Sequence, residues 1–236
     1  MMVVRYKLAV FDMDGTILNT LEDLAASVNY ALNKNGYPLR SIDEVCHFVG
    51  NGIRKLIERS VPYGTDLKNI DAVHEQFTSY YKEHCADKTR PYEGIVKLMD
   101  TLHENGYKTA VVSNKADYAV QELCKKYFDG KFDMAAGEQQ PRYQKKPAPD
   151  LVNLVMDTLG VSNNDTVYIG DSDVDIMTAV NSNVDCISVD WGFRSHEFLI
   201  ENGAGTIVSS PLFSGILQAA MFTEVLRLKG ITDIKL

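Results

Sequence analysis

The sequence predicts an α/β protein built on a Rossmann-like doubly wound parallel sheet, with an all-α domain inserted after the first strand. Three observations predict it. Four short apolar runs, Leu8 to Phe11, Thr109 to Val112, Thr166 to Ile169 and Cys186 to Val189, each give way to turn or acidic residues, the pattern of parallel strands buried on both faces. Between the later runs apolar residues recur at helical spacing, as in Ile95, Leu98, Met99, Leu102 and in Leu151, Leu154, Val155, Leu159, so helix alternates with strand as βαβ units require. Between the first run and the second lies a long stretch of helical pattern with no strand in it.

That stretch runs from about Leu21 to Cys85. Its stripes are Leu21, Leu24, Ala25, Val28, Leu32, then Ile53, Leu56, Ile57, then Ile70, Val73, Phe77, Tyr80. About 65 residues is too long for a crossover connection and reads as a second domain. The expected division is a core of residues 1–18 and 88–236 and an insert of 19–87, with hinges near Ile17 to Thr20 and Asp87 to Pro91. Gly137 to Pro149 is expected to be a loop because Pro141, Pro147 and Pro149 oppose helix. The tail, Pro211 to Leu236, begins with a helical pattern and carries no recognisable motif.

Composition narrows the function. The chain has 236 residues, 45% hydrophobic and 24% charged, the balance of a globular protein. A formal net charge of -8 argues against a nucleic-acid partner, whose binding draws on Lys and Arg. Arg5 and Lys7 interrupt the first apolar run, which suits neither a signal peptide nor a membrane span, so a cytoplasmic location with no membrane partner is expected. Cys46, Cys85, Cys124 and Cys186 are widely spaced and read as four buried free thiols. The five histidines form no paired spacing and read as surface or core-edge residues.

Chemistry concentrates after the strands. Asp12, Asp14, Gly15 and Thr16 follow the first, at the sheet edge where open α/β folds bind ligands. A calcium loop is excluded because Ile17 stands where the EF-hand needs glycine; the same test removes Asp171, Asp173 and Asp175, where Ile176 holds that place. What remains is two acidic clusters at equivalent strand ends. Converging carboxylates repel, by about 1 kcal/mol per pair at about 4 Å in water and more in a drier site; Mg2+, which takes carboxylate oxygens, waters and substrate phosphate, resolves that repulsion. Ser113 and Asn114 after the next strand can face a phosphate, although Ser-Asn in that place is more often a helix cap. Lys146, just before Pro147, would ordinarily be a solvated charge.

Taken in order, Asp12-Met13-Asp14-Gly15-Thr16, Ser113-Asn114, Lys146, and Gly170-Asp171 with Asp175 resemble the four motifs of the haloacid dehalogenase superfamily of phosphatases. The helical insert is similar to that family's cap, giving an inserted all-α cap domain. Val49-Gly50-Asn51-Gly52, Lys146-Pro147-Ala148-Pro149-Asp150 and Trp191-Gly192 look like the phosphoglycolate phosphatase group. The resemblance implies Asp12 as nucleophile forming an aspartyl-phosphate, Asp14 as acid and then base, and Mg2+ held by Asp12, Asp171 and the Asp14 carbonyl, with Lys146 opposite. It further implies Gly15, Thr16, Ser113 and Asn114 beside the phosphate and Asp175 orienting the metal's waters or Lys146. Gly50, Asn51 and Arg54 are the expected substrate-facing cap residues, against the alternative that the glycines only begin a helix and Arg54 is solvated.

The expected partner is a small phosphorylated metabolite, and the expected assembly a monomer or homodimer. A sugar phosphomutase and an inorganic pyrophosphatase share the core residues. A catalytically silent binding protein could keep the fold, but need not retain Asp12, Asp14, Lys146 and Asp171 together.

Overall fold

Leu8–Phe11, all four buried, form β1 at the centre of a parallel sheet. The computed structural model describes residues 6–210; the tail from Pro211 onward lies outside them. The other strands of this sheet are β4 (Lys108–Ala116), β5 (Met134–Glu138), β6 (Thr166–Gly170), β7 (Asp185–Val189) and β8 (Ile207–Val208), in the order β5-β4-β1-β6-β7-β8. Every pairing among them is parallel. The chain builds outward on one side of β1 and then crosses to the other, so a crevice opens at the carboxyl ends of β1, β4 and β6.

Alternate residues of β1 feed two cores. Ala9 and Phe11 join the layer of α5 (Ile95–Glu104) and α6 (Asp117–Phe128). Leu8 and Val10 join the layer of α7 (Asp150–Leu159), with Ala179 of α8 (Asp173–Asn181). A period of two across a sheet covered on both faces gives this division. The buried face of α7 is Leu151, Val152, Val155 and Met156, whereas Leu154 and Leu159 of the expected stripe are only half-buried.

Between Asn19 and Arg90 the chain forms α1 (Leu21–Lys34), α2 (Ile42–Phe48), α3 (Ile53–Ser60) and α4 (Leu67–His84). Leu24, Val28 and Leu32 of α1 and Val73 and Phe77 of α4 are buried in the same cluster. The stripe of α4 closes on Tyr81 rather than Tyr80; Tyr80 instead stacks between Tyr30 and His84 at 4.0 Å from each ring. The expected hinges are ordered. Leu18–Asn19 (β2) and Arg90–Pro91 (β3) pair as a short antiparallel ribbon, and buried Asp23 accepts from the backbone N–H groups of Lys88 and Thr89.

Three expectations change here. Gly137 and Glu138 belong to β5 rather than to the loop; Met134-Ala-Ala-Gly-Glu138 lacks the β-branched residues that mark a strand. Ser113 and Asn114 lie within β4, past a register shift between Val112 and Ala116, and Ala116 caps α6. All four thiols are free, but only Cys85 is buried and the rest are half-buried. Among the described residues no helix is long and apolar enough to cross a membrane.

Candidate active site

Asp12 continues the line of β1, its N–H donating to Ile169 O. Directly after it the chain coils, with the N–H groups of Thr16, Ile17 and Leu18 all donating to Met13 O. Gly15 takes φ +85° in this coil, and a Cβ there would fall 2.2 Å from Asp171 Oδ2. Gly192 is pinned from the opposite side, where a Cβ would meet the same oxygen at 2.4 Å. Glycine is needed at both positions because the backbone itself walls in Asp171.

Asp171 follows β6 and accepts from Phe193 N–H at 2.6 Å. Asp175, in the first turn of α8, accepts from Ser172 Oγ at 2.6 Å and from Lys146 Nζ at 2.7 Å. Lys146 Nζ also donates to Tyr168 Oη at 2.9 Å and stands 2.8 Å from Asp12 Oδ1 in an ion pair. That contact lacks hydrogen-bond alignment, and Asp12 Oδ1, although buried, has no hydrogen-bond partner. The Lys146 backbone is fastened to β4 by Asn114, whose side chain donates to Lys146 O at 2.9 Å and accepts from Lys146 N–H at 2.8 Å.

Asp12 and Asp175 thus share one ammonium, and Asp171 lies beside them. Asp12, Asp171 and Asp175 each offer an oxygen, these oxygens lie within 4.8 Å of one another, and all three residues are buried. With Lys146 counted, ionising all three would leave two negative charges uncompensated in a dry site, which is costly unless a cation shares it. Burial pushes the Asp12 carboxyl up from 3.8 to about 6 against the pull of Lys146, with Asp175 and Asp14 adding to the rise. Burial, then Asp175 and Asp12, hold Asp171 well above the carboxylate range. Burial disfavours the Lys146 ammonium, but Asp12 and Asp175 overcome it and raise its pKa well above the ordinary value. An unpartnered acid oxygen, an all-oxygen donor set and surplus negative charge fit a divalent cation such as Mg2+.

A prediction follows from these shifts. Without a cation, charging Asp12 burdens the folded state as pH rises through about 4 to 6, because its folded-state pKa lies above the unfolded one. Protons relieve the burden below that window and a cation relieves it above. Saturating magnesium should therefore raise Tm more at about pH 7.5 than at about pH 5.5. An equal gain at both values would show the cation bound elsewhere.

Asp14 sits apart from this cluster. Its Oδ1 accepts from Lys115 Nζ at 2.7 Å and from Thr20 Oγ1 at 2.6 Å. Lys115 is buried and its ammonium lies 4.9 Å from the centre of the Tyr81 ring, within cation–π range. In the sequence Lys115 belongs to no motif and Tyr81 reads as a packing residue. The signal for Lys115 was a charge continuing a strand buried on both faces; Tyr81 carried none beyond its helical register.

These groups line one cavity of about 60 Å³. Asp12, Asp14, Ser113, Asn114, Lys115, Lys146 and Asp171 form its sheet side, and Leu24, Gly50, Gly52, Ile53, Leu56 and Tyr81 its helical side. The structure brings Gly50 to the site but not Arg54, which pairs with Glu58 and Asp71 at the surface; two acids on its own side of the helices satisfy the guanidinium. Asn51 Oδ1 accepts from Arg59. Asn114 spends its amide on the Lys146 backbone rather than offering it to a phosphate. Thr16 Oγ1 is buried without a partner, and the Thr16 carbonyl accepts from Trp191 Nε1 at 3.1 Å.

The family model for haloacid dehalogenase-like hydrolases matches residues 9–189, more than three quarters of the chain. The chain belongs to this family. Among its relatives, a phosphoglycolate phosphatase from Pseudomonas putida is 31% identical over 80% of this chain and 71% of its own. One of the same name from Haemophilus influenzae is 31% identical over 82% and 89%. A candidate phosphoglycolate phosphatase of known structure from Lactobacillus delbrueckii superposes with a TM-score of 0.86 at 38% identity, over 92% of this chain and 98% of that one. This haloacid dehalogenase-like hydrolase is accordingly an enzyme of the phosphatase type, and its parallel α/β fold is the family's.

Proposed function

We propose that the protein is a magnesium-dependent phosphatase for small phosphate monoesters of the phosphoglycolate kind, working through a phosphorylated Asp12. The observation that carries this reading is the buried grouping of Asp12, Asp171 and Asp175, whose oxygens lie within 4.8 Å of one another, with Asp12 and Asp171 lining a small cavity beside Lys146. Buried acids gathered around one ammonium are poised for chemistry rather than for stability.

In this reading an Asp12 oxygen attacks phosphorus while the bond to the ester oxygen breaks. Asp14 gives its proton to the departing alkoxide. A water then attacks the phosphorylated Asp12, Asp14 takes that water's proton, and inorganic phosphate leaves with Asp12 restored. Asp12 and Asp171, with the Asp14 carbonyl, would hold Mg2+, which supplies charge neutralisation between nucleophile and phosphate. Lys146 neutralises the same charge from the protein side, and Asp175 keeps it aimed. Lys115 and Thr20 fix Asp14 at Oδ1, and Ser113 faces the phosphate from β4. The helical insert serves as a cap that excludes bulk water.

Cavity size supports a small substrate. About 60 Å³ holds about four to six waters, room for a phosphate carrying a small organic group. The relatives named above carry the name of such a substrate. The test is a panel of phosphate esters with magnesium, scored for inorganic phosphate. Preference for two- and three-carbon esters supports the reading; isomerised sugar phosphate as the main product would replace it with a mutase.

The same panel tests Asp14. Asp14→Asn should lower kcat for an alkyl phosphate by about 10²-fold, with a smaller loss for p-nitrophenyl phosphate, whose leaving group departs without a proton. Equal losses on both would remove Asp14 from the acid role.

A further inference from the structure

In the turn between α2 and α3, Val49-Gly50-Asn51-Gly52, the Gly52 carbonyl starts α3 by accepting from Leu56 N–H, whereas those of Val49 and Asn51 are taken by other partners. Two cations from the sheet side of the molecule take them. Arg194 donates to Cys46 O at 2.9 Å through Nη1 and to Val49 O at 2.6 Å through Nη2. Lys145 Nζ donates to Asn51 O at 2.9 Å. Gly50 and Gly52, at φ +133° and +84°, turn the loop toward these partners, and the approach is close: a Cβ would lie 3.5 Å from Arg194 Nη2 at Gly50 and 3.3 Å from Glu138 Oε2 at Gly52. Positive groups at a helix carboxyl end are favourable, and charged donors make the stronger hydrogen bonds.

Each cation adjoins a catalytic part. Lys145 precedes Lys146. Arg194 follows Phe193, whose N–H holds Asp171 and whose carbonyl accepts from Cys46 Sγ at 3.6 Å. The loop they hold supplies Gly50 and Gly52 to the cavity wall. Val28, Leu32, Val45, Ile57, Val73 and Phe77 of the helical segment are all fully buried, away from the two cations.

We propose that Arg194 and Lys145 are positioning residues that latch the cap loop by its backbone, and that the latch confines the enzyme to small esters. The inference rests on the phosphatase reading in one respect, that the latched cavity is the substrate chamber. Carbonyl recognition makes the latch independent of the loop's side chains other than the two glycines. Cutting it lets the loop lift, which deprives a small ester of its desolvated chamber and admits larger ones.

The experiment compares Arg194→Met, Lys145→Met and the rescue variants Arg194→Lys and Lys145→Arg. In the methionine variants kcat/KM for a two-carbon phosphate ester should fall about 10- to 100-fold, while that for p-nitrophenyl phosphate holds or rises. The ratio of the two shifts by at least about 10-fold, and Lys145→Arg restores it. Equal losses on both esters, or an unchanged ratio, would overturn the latch. Hydrogen exchange of residues 46–52 reads the latch without turnover: faster exchange there, with α4 unchanged, is expected in the methionine variants. If the parent enzyme hydrolysed neither ester, the phosphatase reading would fall, and unaltered exchange in that loop would dispose of the latch separately. Should Arg194→Met fail to fold, the Lys145 pair and Arg194→Lys carry both measurements.

Discussion

Asp12→Asn should abolish turnover, by at least about 10⁴-fold, while leaving a protein that is as stable as the parent or more so. The first half follows from chemistry: an amide keeps the size of the carboxylate but cannot attack phosphorus, and loss of a nucleophile leaves only the residual catalysis of the surrounding groups. The second half follows from charge. Asp12 is one of three clustered buried carboxylates and shares the Lys146 ammonium with Asp175, and burial holds its pKa up at about 6, so at neutral pH its charge is a burden that an amide lifts. Steady-state rates on a two-carbon phosphate ester and thermal unfolding without magnesium check the two halves. Full turnover by the variant would end the mechanism; lost turnover with a large drop in Tm would mean that Asp12 is a structural anchor. The combination of lost rate and kept stability separates a nucleophilic carboxylate from a structural one.

Much of this site was legible in the chain because its acids lie directly after strands. An apolar run broken by Asp12 or Asp171 states both the strand and the edge at which it ends, and the parallel order of β4, β1 and β6 brings those edges together. Helical periodicity gave the insert for the same local reason. What escaped the reading depends on contacts between distant segments. Arg54 follows a glycine-rich turn, like a phosphate-facing residue, yet Asp71 on another helix claims it. Arg194 had no motif to mark it, and its partners are carbonyls 145 and 148 residues earlier; a backbone acceptor has no residue type by which to be recognised. The resemblance implies Asn114 beside the phosphate, whereas its two hydrogen bonds run to a backbone 32 residues on. The strand β5 was missed for want of propensity, and pairing with β4 supplies what its composition does not.

Lys146→Met should cost both rate and stability, and the two losses should separate in a second substitution. Its ammonium is almost fully buried and touches Asp12, Asp175 and Tyr168. Methionine fills the space of the stem but leaves two acids without a counter-charge, and breaking a buried pair in this way costs about 3–5 kcal/mol. Loss of the charge facing the phosphate should lower kcat by about 10³-fold, the scale of removing one preorganised electrostatic partner from a water-excluded site. Adding Asp175→Asn relieves part of the leftover charge, so the double variant should recover Tm without recovering rate, since Asp175 serves Lys146 and the fold whereas Lys146 serves the reaction. Magnesium should raise Tm more in Lys146→Met than in the parent, because a cation offered to Asp12 then has no ammonium to share it with. If Asp175→Asn restored turnover along with stability, the lysine would be a structural counter-ion only, and charge neutralisation of the phosphate would have to come from elsewhere in the cavity.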